Sequence, residues 1–178
     1  MKIDRRAVMV GLCAPFAGCS VPSVERPPLT LAKDVDLERY FGRWYIIANI
    51  PYFAERGNVG AYVEYARRPD GQIADVYYAH ANCFDSPLTR KEGRAHVVAG
   101  SNNALWRVTF FWPVYVSYPI IHVDADYRTA LIGYPDRSLG WVFSRDRDMD
   151  DATYHGLLKR FADQGYDTSQ FQRVPQRR

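Results

Sequence analysis

The chain has 178 residues, with 23 Lys and Arg against 20 Asp and Glu, for a net charge of +3. That length suits one domain with a short tail, and an excess so small and so evenly spread excludes the clustered basic face of a nucleic-acid binder, so no nucleic-acid partner is expected. Aromatic residues make up 15% of the chain, and they favour half-buried pleated surfaces, so a β-rich fold is expected.

Lys2, Arg5 and Arg6 precede an apolar run from Ala7 to Ala14 and the small residues Ala17 and Gly18. This is the pattern of a secretory signal peptide over residues 1–18, too short and too broken to span a bilayer. Ala17-Gly18-Cys19 resembles the bacterial lipobox, which implies that Cys19 becomes the first mature residue and carries acyl chains. Ser20 stands where an Asp would resemble an inner-membrane retention signal, so the outer membrane, at its periplasmic face, is the expected destination. Residues 19–33 then read as an acylated, proline-rich tether, since Pro22, Pro27 and Pro28 lack backbone donors. Residues 34–178 form the expected folded domain.

Within that domain eight strands are expected in chain order: Arg43–Ile50, Gly60–Arg67, Gln72–Ala81, Arg90–Ala99, Ala104–Phe111, Tyr118–Asp124, Thr129–Tyr134 and Gly140–Ser144. Each is rich in aromatic or β-branched residues and bounded by turn signals such as Pro69-Asp70-Gly71 and Gly100-Ser101-Asn102-Asn103. Short reversals between successive strands predict up-and-down antiparallel pairing, and closure removes the exposed edges. The expected fold is therefore all-β with one C-terminal helix, an eight-stranded antiparallel barrel over about 42–145. Period-two alternation puts Trp106, Val108 and Phe110 on one face, and Trp44, Ile46, Ala48 and Ile50 on another. The third strand, with Asp75 and Tyr77 against Val76 and Tyr78, leaves its inward side open.

From about 150 to 164, Tyr154, Leu157, Leu158 and Phe161 recur at helical spacing behind the acidic Asp150 and Asp151. Gly165 stands at the expected C-terminal cap, and Phe171 and Val174 suggest an edge strand at about 170–174. Cys83 has no partner left for an intramolecular disulfide and is expected to be a small buried hydrophobe. His80, His96, His122 and His155 fall on different elements without pairing, so neither a metal site nor a cofactor is expected. No Gly-x-Ser-x-Gly, His-Glu-x-x-His or phosphate loop is present. Cys83 and His80 lack a third, orienting group, and no catalytic residue is expected.

Gly42-Arg43-Trp44-Tyr45, the segment Asp124–Ala130 and Arg145 match, in order, the three signature regions of lipocalins. The runs Phe53–Gly57, Val108–Pro113 and Trp141–Arg145 further resemble the bacterial branch, outer-membrane lipoproteins similar to apolipoprotein D. This resemblance implies a carrier of fatty acids or lysophospholipids rather than an enzyme, held at the membrane by its N-terminal acyl chains; monomer and homodimer both stay open. Ala125 departs from the usual Thr of the second region, and Trp112 and Val114 are unusual near the fifth-to-sixth loop. Gly42, Trp44, Asp126, Tyr127 and Arg145 read as structural, with the guanidinium of Arg145 laid over the Trp44 indole. The candidate ligand-binding residues are Trp106, Val108, Phe110, Tyr115, Trp141 and Phe143, from strand parity and, for Tyr115 and Trp141, from the resemblance. Carriage of another hydrophobic cargo, such as a tetrapyrrole, and an envelope enzyme acting on lipids are the alternatives.

Overall fold

The computed structural model describes residues 26–177; the expected signal peptide, Cys19 and the first part of the tether lie outside the described residues. Eight antiparallel strands follow in chain order: β1 (Gly42–Asn49), β2 (Asn58–Arg67), β3 (Ile73–Ala81), β4 (Leu88–Val97), β5 (Leu105–Phe111), β6 (Val114–Val123), β7 (Thr129–Ile132) and β8 (Trp141–Ser144). Each pairs with the next, and β1 pairs with both β2 and β8, so the sheet closes. No edge of the eight is left to template another chain. A two-residue β9 (Gln172–Arg173) joins the end of β1 through Ala48 and Asn49.

Two apolar cores share the wall of this barrel. The inner one packs Trp44, Tyr65, Trp106, Ile120, Ile132 and Phe143. The outer one seats helix α2 (Asp151–Asp163) by Tyr154, Leu157 and Phe161 against Ile47, Leu131 and Val142. Asp150 caps α2 by accepting from Thr153 N at 2.8 Å, and Gly165, at φ +83°, ends it.

The expected inward face of β1 is broken. A bulge between Ile46 and Ala48 leaves Trp44 and Ile46 inside but moves Ala48 and Ile50 into the outer core. One extra residue reverses the side-chain parity beyond it. β6 also starts four residues earlier than expected, because Trp112 and Pro113 make a tight hairpin with β5, pairing Phe111 with Val114. Cys83 is exposed rather than buried: it lies in the β3–β4 turn, where its thiol meets Ser86 Oγ at 3.2 Å. His80 turns its Nδ1 to the Ser86 carbonyl at 2.6 Å, so both side chains are directed at Ser86.

The closed end depends on an element that composition did not announce, the short helix α1 (Leu37–Tyr40), capped by Asp36, whose Oδ1 accepts from Glu38 N and Arg39 N. It inserts Tyr40, fully buried, against Trp44, Tyr65 and Trp106 at ring separations of 5.1, 5.8 and 5.4 Å. Arg145 then lays its guanidinium 3.7 Å from the Trp44 ring centre. It also donates to the carbonyls of Arg39, Tyr40, Phe41, Arg43 and Tyr127. Gly42, at φ +94°, brings the chain so near that an added Cβ would stand 3.4 Å from Arg145 Nη1. In the β6–β7 turn Asp124 Oδ1 accepts from Arg128 N and Thr129 N, and the Tyr127 hydroxyl accepts from Asp36 N at 2.8 Å; Asp126 is exposed.

Arg145→Ala strands several carbonyls that charged donors now satisfy and removes the cation–π contact, so it is expected to cost about 2–4 kcal/mol in urea unfolding. Arg145→Lys should recover less than half of that, since one ammonium cannot span the same carbonyls. A loss in Arg145→Ala below about 0.5 kcal/mol, the range of surface substitutions, would defeat this account.

Candidate functional site

Above the aromatic floor the barrel is hollow. A cavity of about 570 Å³ opens at the far end, lined by Ile46, Val63, Tyr65, Tyr77, Val108, Tyr118 and Phe143 lower down and by Tyr52, Phe53, Phe110, Phe111, Val114 and Trp141 near the mouth. Its size is that of a small-molecule pocket, and its wall is mostly apolar.

Four of the six candidate residues line this space: Val108, Phe110, Trp141 and Phe143. Trp106 does not; it is fully buried in the floor, with its indole N–H donated to the Asn103 carbonyl at 2.8 Å. Tyr115 also stays outside, stacked edge-on against His96 at 5.5 Å. From β6 the cavity is lined by Val114, Val116, Ser117 and Tyr118, and Tyr115, alternate to Val114 and Val116, faces away.

Residues that strand parity had not selected supply the polar chemistry. Glu55, in the β1–β2 connection, is 8% exposed and accepts from Asn49 Nδ2 at 2.8 Å and from Trp141 Nε1 at 3.1 Å. The β1 bulge makes this possible, because it turns Asn49 toward Glu55. Burial pushes the Glu55 carboxyl up to about 7, against the pull of the Trp141 and Asn49 donors and of Lys91. Asp75 on β3 is 2% exposed; burial alone pushes it up to about 7. Tyr65 and Tyr118 share a hydroxyl–hydroxyl hydrogen bond of 2.7 Å across the barrel, and the Tyr77 hydroxyl accepts from Asn58 Nδ2 at 2.8 Å. Lys91 also lines the cavity, with its Nζ 5.7 Å from the Tyr77 ring centre. The structure settles the side that alternation left open on β3: Asp75 shares its parity with Ile73, Tyr77 and Ala79, all buried.

The rim is unusually apolar for a surface. Phe53, Phe111, Trp112 and Val114 are 84, 80, 77 and 62% exposed. Phe110 lies across β4 where Gly93 leaves room: a Cβ there would come within 2.9 Å of its ring. Among the described residues no three His, Cys, Asp or Glu side chains come together in a way that could hold a metal ion.

The two carboxyls make stability depend on pH. Each titrates higher in the folded chain than in the unfolded one, so between the ordinary carboxylate range and about pH 7 the folded chain holds more protons. Stability therefore falls as pH rises through that window. Asp75→Asn, which removes one of these titrations, is expected to be more stable than the wild type by about 1–3 kcal/mol near pH 8, with the gain fading toward about pH 4. An equal difference at both pH values in urea unfolding would show that Asp75 is not held protonated.

Comparison with known proteins agrees with this architecture. The lipocalin-like domain family matches residues 35–176. Outer membrane lipoprotein Blc of Escherichia coli K12 is 33% identical over 153 residues, covering 86% of this chain and 85% of its own. Temperature-induced lipocalin-1 of Arabidopsis thaliana is 32% identical over 161 residues, covering 85% of each. Among solved structures, insecticyanin from the tobacco hornworm Manduca sexta superposes with a TM-score of 0.66 at 19% identity, covering 84% of this chain and 85% of that one. With the closed eight-stranded barrel, the following helix and the Trp44–Arg145 closure, these matches show that the chain belongs to the lipocalin family.

Proposed function

We propose that the protein stores or carries a single-chain lipid, a fatty acid or lysophospholipid, in the bacterial envelope by reversible burial of the acyl chain and without catalysis. The observation that carries this reading is the cavity itself: about 570 Å³, mostly apolar, and open at one end of a closed barrel. Each square ångström of lipid tail removed from water there contributes about 25 cal/mol.

Residence at the outer membrane through acylated Cys19 belongs to the same proposal. The relatives in Escherichia coli, Citrobacter freundii and Vibrio cholerae are named outer membrane lipoproteins. The path of the tether supports it further. From Val35, bonded to Asn102 at the closed end, the chain runs back along the barrel to Arg26 and Pro27. These meet Asp136 and Arg137 in the β7–β8 loop at the open end. Cys19 precedes Arg26 by seven residues, a reach of at most about 25 Å. An acyl anchor there holds the apolar rim toward the bilayer.

Native mass spectrometry of the delipidated protein with palmitate and lysophospholipids at micromolar concentration is expected to show one bound lipid. Failure of every single-chain lipid would sink the carrier reading, and release of a new product would favour a lipid-acting enzyme. Trp141→Ala is expected to weaken binding about tenfold with a modest loss of stability. Trp106→Ala, in the floor, should instead cost about 3–5 kcal/mol of stability. For the anchor, the mass of the N-terminal peptide decides: an unacylated Cys19, or a start elsewhere, defeats it.

A further inference from the structure

The polar end of the ligand is the open question in the carrier reading, and Asp75 answers it. Its side chain lines the cavity, is 2% exposed, and has no hydrogen-bond partner at Oδ1. Its ladder neighbours are Tyr65 on β2 and Gly93 on β4. Gly93 has no side chain, and the Tyr65 hydroxyl is engaged with Tyr118. The other groups within its electrostatic reach are Tyr40, Tyr52 and Tyr118. Tyr52 and Tyr118 also feel Glu55, the second carboxyl of the wall, which already holds donors from Asn49 and Trp141. Lys91, the cation of the lining, acts on Glu55, while nothing but burial shifts Asp75. A buried polar group without a partner is costly, and the cost is recovered when a partner arrives.

Height in the barrel adds direction. Asp75 sits opposite Tyr65, whose ring packs on the floor residues Tyr40 and Trp106, whereas Phe53, Phe111 and Val114 form the rim. The deep end thus holds the acid without a partner at Oδ1, while the acid nearer the outlet, Glu55, is already met by donors and the rim around it is apolar. We propose that Asp75 anchors an amphiphile that enters polar end first, and that this end is a hydrogen-bond donor without negative charge, a hydroxyl or an ammonium. The inference rests on the carrier reading and revises its cargo toward neutral or cationic single-chain amphiphiles, because the carboxylate of a fatty acid and the phosphate of a lysophospholipid both bring negative charge to this wall. A carboxylate placed beside Asp75 must either take up a proton or face a like charge in a water-poor site, and a site arranged to meet a donor rejects the analogue that lacks one.

The test compares three ligands with the same fourteen-carbon acyl or alkyl chain, myristate, 1-monomyristin and tetradecylamine, titrated below their aggregation concentrations into delipidated protein near pH 8. The expected result is that monomyristin and tetradecylamine bind at least about tenfold more tightly than myristate, the scale of one well-placed charge-assisted hydrogen bond. In Asp75→Asn the amide offers a donor of its own, so myristate should tighten and the preference should shrink to within about threefold. Glu55→Gln, at a carboxyl already satisfied, should keep the wild-type ranking. Myristate binding as tightly as the other two in the wild type overturns the assignment while leaving a lipid carrier; so does loss of the ranking in Glu55→Gln but not in Asp75→Asn. If none of the three binds while a lysophospholipid does, the assignment falls and the carrier remains; if no single-chain lipid binds, the carrier reading falls with it.

Discussion

The guanidinium of Arg145 ties one end of the barrel together. It covers the Trp44 ring and donates to carbonyls from α1, from the start of β1 and from the β6–β7 turn, joining chain segments more than a hundred residues apart. A closed sheet has two open ends, and side chains alone fill the interior of eight strands only if they meet across it. Here Tyr40, Trp44, Tyr65 and Trp106 meet at one end and leave the other hollow. Fixing that floor decides where the cavity begins.

A fixed floor lets the wall above it carry features that cost stability. Asp75 and Glu55 are acids in an apolar enclosure, one without a partner at Oδ1 and one with two donors. Desolvation opposes the charged form of both. The rim is a second such feature, since Phe53, Phe111 and Trp112 lie in the open rather than in either core. Exposed apolar clusters of this kind mark surfaces that meet lipid or another partner. Unsatisfied acid below and exposed aromatic surface above both border the cavity.

Much of this architecture was legible in the chain. Strand alternation and turn residues located eight strands, and α2 showed its buried stripe because its period is regular. The closure could be read because Gly42, Trp44 and Arg145 serve local geometry that few other residues satisfy. What could not be read arose where one residue breaks a period. The bulge at Ile46–Ala48 sends Ala48 and Ile50 outward and Asn49 toward Glu55; alternation, which assumes an unbroken pleat, predicts the reverse. Tyr115, indicated by the resemblance alone and lying before the expected sixth strand, falls on the outer face of a β6 that starts at Val114. Trp106 was inward as expected, but its inward place is in the floor. Parity reports the side of the sheet and not the height in the barrel.

That distinction between side and height also explains why the site's polarity escaped the sequence. On β3 Asp75 and Tyr77 share one face while Val76 and Tyr78 make the other apolar as well, so alternation alone leaves the inward side open. Only closure of the sheet turns the face of Asp75 into an interior. Only the depth of Asp75, level with Tyr65 and near the aromatic floor, makes it an internal acid rather than one at the mouth. An unpartnered acid at the bottom, with the upper acid Glu55 already bonded and an apolar rim beyond it, is the opposite of what a pocket receiving a lipid tail-first would require. A head group buried among Tyr65, Tyr118 and Asp75 is fixed by directional hydrogen bonds, while the chain above it faces Phe110, Val114 and Trp141, where contact is non-directional. Selectivity in such a calyx therefore comes from the floor, and tolerance of chain length from the open end.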